Sequence, residues 1–377
     1  MDCEFSEIKN RFGFGCMRLP LLNDDEVDLT EFSKMVDEAM KAGCNYFDTA
    51  TVYLGGKSET AIKECLVKRY PRSSYVLTDK LSSSTFTKEE EIIPQIEHQL
   101  KQCGVSYFDF LLMHAQSSRN YEQYQKTHAY EKGVQLKKEG KIKHLGLSFH
   151  DSPEFLDKIL SEHPEIEVVQ LQFNYLDYEN PNVQSRGCYE VAEKYHKPVI
   201  VMEPVKGGEL ANLPPKAIGM LKELPSYNLS QASYALRFVL SFPNIFMVLS
   251  GMSNLAQMED NLKNCVDFVP LNELEMKKVL EVGDYLRHQP LIGCTSCHYC
   301  TPHCPRHIAI PELFHLLNRK RSLESMRDLG KEFHELTEKE ESSKPSACLK
   351  CGACEKMCPQ KLPIRAYLVD VVREFEN

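Results

Sequence analysis

Along the first 290 or so residues, short runs rich in β-branched and aromatic side chains alternate with longer amphipathic stretches. The short runs are RFGFGCM, CNYFDTA, SYVLTDK, YFDFLLMH, IKHLGLS, EVVQLQF, KPVIVME and NIFMVLS. In the longer ones, among them 31–41, 89–103, 121–139 and 254–264, apolar residues recur at i, i+3, i+4 and i+7, the period of a helix with one buried face. Strands alternating with helices demand right-handed crossovers, and hence a parallel sheet. Eight such units predict an α/β fold, a (β/α)₈ TIM barrel. An open doubly wound sheet would carry G-x-G-x-x-G after its first strand; here Gly13 and Gly15 are followed by Arg18 at the third position, then Pro20. Beyond residue 290 the alternation stops, and cysteine, proline and charged residues dominate. The predicted division is a barrel over 1–286 and a small, mainly α-helical module over 287–377.

Polar residues at the strand ends narrow the chemistry. Asp48 closes the second strand, Lys80 the third, His114 the fourth and Ser148 the fifth; Gln170 lies in the sixth, and Tyr53 follows Asp48 by five residues. In a parallel barrel all C-terminal strand ends open on one face, where active sites are built. Any one of these residues is equally well explained as a helix cap or strand-end polar group. The whole set is not.

The stretch from Asn45 to Tyr53 with Lys57-Ser-Glu59, then Thr78-Asp-Lys80, Phe110 to His114, Gly146-Leu-Ser148, Val169-Gln170 and Leu249 to Asn261 resembles the aldo-keto reductase superfamily in order and spacing. The resemblance implies Asp48, Tyr53, Lys80 and His114 as the catalytic tetrad, and NADP or NAD as cofactor. It implies Ser148 and Gln170 on the nicotinamide carboxamide, Met202 against the nicotinamide ring and Met17 beside it. Val205, Lys206, Gly207 and Gly208 correspond to the pyrophosphate loop, and Ser250, Gly251, Gln257, Asp260 and Asn261 to the adenosine end. Gly251 and Gln257 stand where NADP-preferring relatives often carry cations, which leaves NAD against NADP open and makes Lys206 the nearest candidate cation. Arg18, on the wall of the carbonyl pocket, suits a carboxylate or phosphate on a substrate as well as a surface ion pair. In such a site a tyrosine gives its proton to the carbonyl oxygen; its ordinary pKa near 10 is high, and a lysine ammonium beside it is expected to lower it.

Eight of the 15 cysteines form two runs, Cys294, Cys297, Cys300, Cys304-Pro305 and Cys348, Cys351, Cys354, Cys358-Pro359. Each reads C-x2-C-x2-C-x3-C-P, the spacing in which three thiolates wrap one [4Fe–4S] cubane while the fourth reaches the other. Cys294, Cys297, Cys300 and Cys358 are thus expected to hold one cluster, and Cys348, Cys351, Cys354 and Cys304 the second. Structural zinc more often uses separated C-x2-C pairs. The long insert between the runs, with helices expected over 311–317 and 323–336, is similar to the helical type of two-cluster ferredoxin. His298, His303 and His307 read as surface or supporting residues, since eight thiolates already fill two cubanes. Arg319, Lys320 and Arg321 form a basic stretch that fits either a solvated helix face or a redox docking patch. The remaining seven cysteines stand alone and read as small buried hydrophobes.

The net charge of −9 removes nucleic acid as a natural partner. The acidic N-terminus MDCEFSEIKN lacks an apolar signal core, and the most apolar stretch, 234–252, is interrupted by Arg237, Pro243 and Asn244. No membrane association is expected; the reading is a cytoplasmic protein of an anaerobe or other low-oxygen setting. Two functions follow. One is NAD(P)-dependent reduction of a carbonyl or oxidation of an alcohol on a small molecule. The other is iron–sulfur electron transfer, with a ferredoxin or flavoprotein as redox partner and the barrel as a nicotinamide-binding docking or sensing unit.

Overall fold

The structure, a computed structural model, describes residues 5–23, 26–224, 229–321, 329–338 and 342–376. The eight apolar runs become β1 (Phe12–Gly15), β2 (Tyr46–Asp48), β3 (Val76–Leu81), β4 (Phe108–Gln116), β5 (Ile142–Phe149), β6 (Val168–Gln172), β7 (Val199–Met202) and β8 (Ile245–Ser250). All neighbours pair in parallel and in chain order, and β1 pairs with β8 to close the barrel.

Strand periodicity decides where each side chain goes. Tyr46, Val76, Phe110, Leu112, Val168, Ile200, Met247 and Leu249 pack with Phe5 and Ile8 as one apolar cluster. Phe47, Leu77, Leu111, Met113, Leu147, Val169, Val201 and Val248 join a second, larger cluster with the helices. Because successive residues of a strand alternate in direction, Asp48, Lys80, His114, Ser148, Gln170 and Met202 fall on the same rows as the interior set. Gly146 is required on one of these rows, since a Cβ there would stand 2.5 Å from Val168 Cγ2.

The helices cover the outside. Helix Leu29–Lys41 begins at Asp28, whose carboxylate accepts from the Thr30 and Glu31 amides, and it buries Phe32, Met35, Val36 and Ala39. The single helix expected over 121–139 is broken at Thr127 and His128, the latter at φ 50°, into Tyr121–Lys126 and Ala129–Lys138. The break has a packing cause. Tyr124 donates to the carbonyls of Leu81 and His114, and Tyr130 to Gln116 Oε1, and at 100° per residue one unbroken helix would turn these two rings to different faces.

The C-terminal module has its own core of Ile308, Leu313, Phe314, Leu317, Phe333, Leu368 and Val371. Its principal helices are Ile310–Arg321, Leu329–Thr337 and Ile364–Phe375. The helix expected at 311–317 therefore runs on to Arg321, whereas residues 323–328 of the second lie outside the described residues. Arg319 pairs with Glu332, Lys320 with Glu374 and Arg321 with Asp370. Their charges tie the module's helices to one another. Of the lone cysteines, Cys16, Cys44, Cys65, Cys103, Cys188 and Cys265 are buried thiols, and Cys3 lies outside the described residues. No helix among the described residues is long and apolar enough to cross a membrane.

Candidate active site and cluster pockets

The ends of β2, β3 and β4 bring Asp48, Lys80 and His114 together at the barrel mouth. Lys80 is wholly buried; its ammonium donates to Asp48 Oδ1 at 2.5 Å and to the Thr49 carbonyl at 2.8 Å. Gln170 Nε2 holds the other oxygen of Asp48 at 3.0 Å. Tyr53 closes the set from above, with its ring centre 4.7 Å from the Lys80 ammonium and 6.1 Å from the His114 ring. Its loop turns sharply: Leu54, Gly55 and Gly56 follow at φ 51°, 62° and 88°. Ala115, at an irregular point near the end of β4, and Glu203 and Lys206, in the loop after β7, are also non-glycine residues at positive φ, and such geometry costs about 1–3 kcal/mol apiece.

Electrostatics set the protonation states. Burial, then the Asp48 carboxylate, pushes the Tyr53 phenol well above its ordinary pKa. The lowering expected from Lys80 does not prevail, because burial opposes phenolate and Asp48 stands beside the ammonium. The neutral phenol is thus the favoured form of Tyr53. Burial, reinforced by Lys80 and His150, drops His114 well below the usual imidazole value, and burial holds His150 at about 4. His114 Nδ1 lies 2.5 Å from Ser82 Oγ. When that hydroxyl donates, Nε2–H remains for a ligand.

A cavity of about 510 Å³ runs from this point across the mouth. Of the residues expected at the cofactor, Met17, Gln170, Met202, Val205, Gly207, Gly208, Ser250, Gly251, Gln257, Asp260 and Asn261 line it, together with Asp48, Tyr53 and His114. Ser148 is placed differently: its buried hydroxyl accepts the Ala115 amide at 2.7 Å, which braces the irregular end of β4 just past His114. Lys206 is corrected. Its buried ammonium donates to both oxygens of Asp177, at 2.7 and 2.9 Å, and to Gln360 Oε1 at 2.6 Å, and it does not face the cavity. Arg18 is the only Lys or Arg among the described residues lining the cavity. It donates to the carbonyls of Thr295 and Ser296 and stands 3.9 Å from Glu203.

The module supplies part of the wall, which residue patterns did not reveal. Cys297, Tyr299, Pro359 and Gln360 line the same cavity as Tyr53. Gln360 exchanges hydrogen bonds with Gln172 at 2.9 and 3.0 Å, and a Cβ on Gly207 would meet the Thr295 carbonyl at 2.7 Å. No local signal marks Tyr299 for this role. It lies inside a cysteine run and reaches the mouth only through tertiary packing. Glu203, whose Oε2 is buried without a hydrogen-bond partner and whose carboxyl burial raises, was likewise missed.

The module's cysteines form two groups. Cys294, Cys297, Cys300 and Cys358 line one small cavity; Cys304, Cys348, Cys351 and Cys354 line another. Burial, with mutual repulsion behind it, lifts the thiols of Cys294 and Cys300 to about 12 and that of Cys297 to about 11. Four converging thiols whose ionised form is opposed in this way suit a group that supplies positive charge.

Residues 11–284 match the model of the aldo/keto reductase family. The chain belongs to that family. Residues 293–362 of this aldo/keto reductase match a 4Fe-4S dicluster domain. Among curated relatives, it is 25% identical to the NADH-specific methylglyoxal reductase of Escherichia coli over 60% of this chain and 79% of that one. It is 29% identical to a probable aldo-keto reductase of Glycine max over 44% and 48% of the respective chains. An aldo-keto reductase from Bacillus halodurans superposes with a TM-score of 0.60 at 23% identity, covering 72% of this chain and 91% of that chain. One from Klebsiella pneumoniae, solved with NADP and acetate, gives 0.59 at 16% over 72% and 90%. The protein is an aldo/keto reductase-type oxidoreductase carrying a ferredoxin-like dicluster module.

Proposed function

We propose that this aldo/keto reductase interconverts a carbonyl and an alcohol on a small molecule with NAD(P)(H), and that Tyr53 moves the proton. The observation that carries the reading is the buried Lys80–Asp48 pair with its ammonium 4.7 Å from the Tyr53 ring. An extended cavity from Tyr53 to Asp260, paved by Gly207, Gly208, Ser250 and Gly251, suits a dinucleotide. When bound, the nicotinamide supplies the hydride. Tyr53, held neutral by burial, gives its proton to the carbonyl oxygen as charge develops there, and His114 Nε2–H steadies that oxygen. The Lys80 ammonium, fixed by the Thr49 carbonyl and by Asp48, whose other oxygen Gln170 holds, stabilises the phenolate left behind. Gln170 and Met202 orient the nicotinamide, and Val205, Gly207 and Gly208 take the pyrophosphate.

Residues 287–377 form, in this reading, a separate unit in which Cys294, Cys297, Cys300 and Cys358 hold one [4Fe–4S] cluster and Cys304, Cys348, Cys351 and Cys354 the other. Because Cys297 lines the cavity that Tyr53 lines, the module is read as working with the barrel rather than as a passive tail. The test is a carbonyl screen on anaerobically purified protein with NADH and NADPH carrying deuterium at the nicotinamide C4. Deuterium on the product's carbinol carbon is expected. Failure to bind either nucleotide would overturn the reading.

A further inference from the structure

The two cysteine groups differ in what surrounds them. The group containing Cys297 faces the barrel. The other reaches the surface: Cys351 is exposed, Leu349 is 57% exposed and Met357 39% exposed. Arg306, Leu349 and Arg365 line the same cavity as Cys304, Cys348, Cys351 and Cys354. Lys350 follows at once, its amide donating to Cys348 Sγ at 3.4 Å while its carbonyl accepts from Arg365. From the barrel side, exposed Arg119 donates to the carbonyl of exposed Lys356. Between residues 342 and 365 the chain carries Lys344, Lys350, Lys356, Lys361 and Arg365 against one acid, Glu355, which Arg365 covers at 2.8 Å; Lys361 stands 3.7 Å from Asp151 of the barrel, and residues 293–309 add Arg306 and no acid. Around exposed Cys351, on a protein of net charge −9, thus stand Arg306, Arg365 and the bare side chain of Leu349, with exposed Lys350 between Leu349 and Cys351 in the chain.

We propose that this face, formed by Arg306, Leu349, Lys350 and Arg365 around Cys351, docks an acidic one-electron carrier of the ferredoxin type. The proposal rests on reading Cys304, Cys348, Cys351 and Cys354 as cluster ligands. A basic rim attracts an acidic partner and orients it, while the apolar centre excludes water at the point of closest approach. The transfer moves one electron: the reduced carrier loses it, the cluster at these thiolates gains it, and no proton or atom changes place. The Cys297 group, against the barrel cavity, then lies on the inner side of the module and the Cys351 group on the entry side.

The experiment uses the full chain, anaerobically loaded with iron and sulfide, and a purified acidic two-cluster ferredoxin reduced beforehand. Stopped-flow bleaching of the chain's visible band is compared for wild type, Arg306→Glu with Lys350→Glu, and Lys101→Glu, an exposed charge on the outer barrel helix Ile92–Cys103. The double reversal is expected to slow ferredoxin-driven reduction roughly tenfold or more at low salt, with added salt doing the same to wild type. Lys101→Glu is expected to leave the rate unchanged, and dithionite to bleach all three equally, which shows the clusters intact. Equal ferredoxin rates in wild type and the double variant would overturn the docking face, as would faster exchange with a basic cytochrome. Absence of iron and sulfide after loading would instead remove the cluster reading beneath it.

Discussion

Tyr53 is the residue on which the proposed chemistry turns, because burial keeps its phenol protonated at the cavity where a carbonyl oxygen would lie. Tyr53→Phe is expected to lower turnover by about 10²–10⁴, with nucleotide affinity measured by fluorescence titration almost unchanged. Near-normal turnover would assign the proton to another group. A second residue-scale expectation comes from the opposite side of β3. Asp79 points outward there and meets Glu59. Burial first, and then the Asp79 charge, raises Glu59 to about 9, while burial raises Asp79 to about 6. Unfolded carboxyls titrate near 4, so between pH 6 and 9 the folded pair holds a proton that the unfolded chain has released. Stability from this pair is complete at low pH and falls as pH rises through that window. Glu59→Gln keeps a donor toward Asp79 without the proton, and its melting temperature should vary less than wild type between pH 6 and 9. An unchanged slope would place the pH dependence elsewhere.

Among the elements, the loop after β7 joins barrel and module. Gly207 sits at φ +62° with the Thr295 carbonyl where its Cβ would go, and Gly208 sits at φ +101° with open space around it. Alanine at either site meets backbone strain, on the order of 1–3 kcal/mol. Only Gly207→Ala also drives the loop off Thr295. Both variants should melt earlier, but faster proteolysis between Leu286 and Cys294 is expected for Gly207→Ala alone. Equal proteolysis in the two would mean that this contact does not hold the module. The strands themselves were readable from periodicity, because a parallel barrel buries both faces of every strand and so writes each as a dense apolar run. The break at His128 was not, since it depends on where Tyr124 and Tyr130 find their acceptors in β3 and β4.

At the scale of the molecule, the module is a wall of the mouth. A chain ended after Leu286 loses Tyr299, Pro359 and Gln360 from the cavity and Gln360 from the buried Lys206–Asp177 pair. Such a truncated chain, checked for folding by circular dichroism, should still bind nucleotide but turn over roughly 10²-fold more slowly through poorer placement of the substrate. Full turnover would make the module dispensable to the chemistry. Intact protein isolated without oxygen should contain about eight iron and eight sulfide per chain, two four-iron clusters; stoichiometric zinc without sulfide would remove the cluster assignment.

The amino-acid sequence alone determined the strand–helix alternation, the candidate tetrad and the cysteine spacing. Each is written locally: a side-chain period of 2 or 3.6, a polar residue closing an apolar run, a thiol every third position. Only the tertiary structure decided the rest. It turned Lys206 from the cofactor toward Asp177, because Gln360, far along the chain, completes a buried acceptor set for its ammonium. It joined Arg319, Lys320 and Arg321 to acids on neighbouring helices and gathered a different basic rim around Cys351. It also put Tyr299 at the barrel mouth. Charge partners and cavity walls are matters of proximity in space, and residues distant in sequence become neighbours only when two separately packed cores are docked.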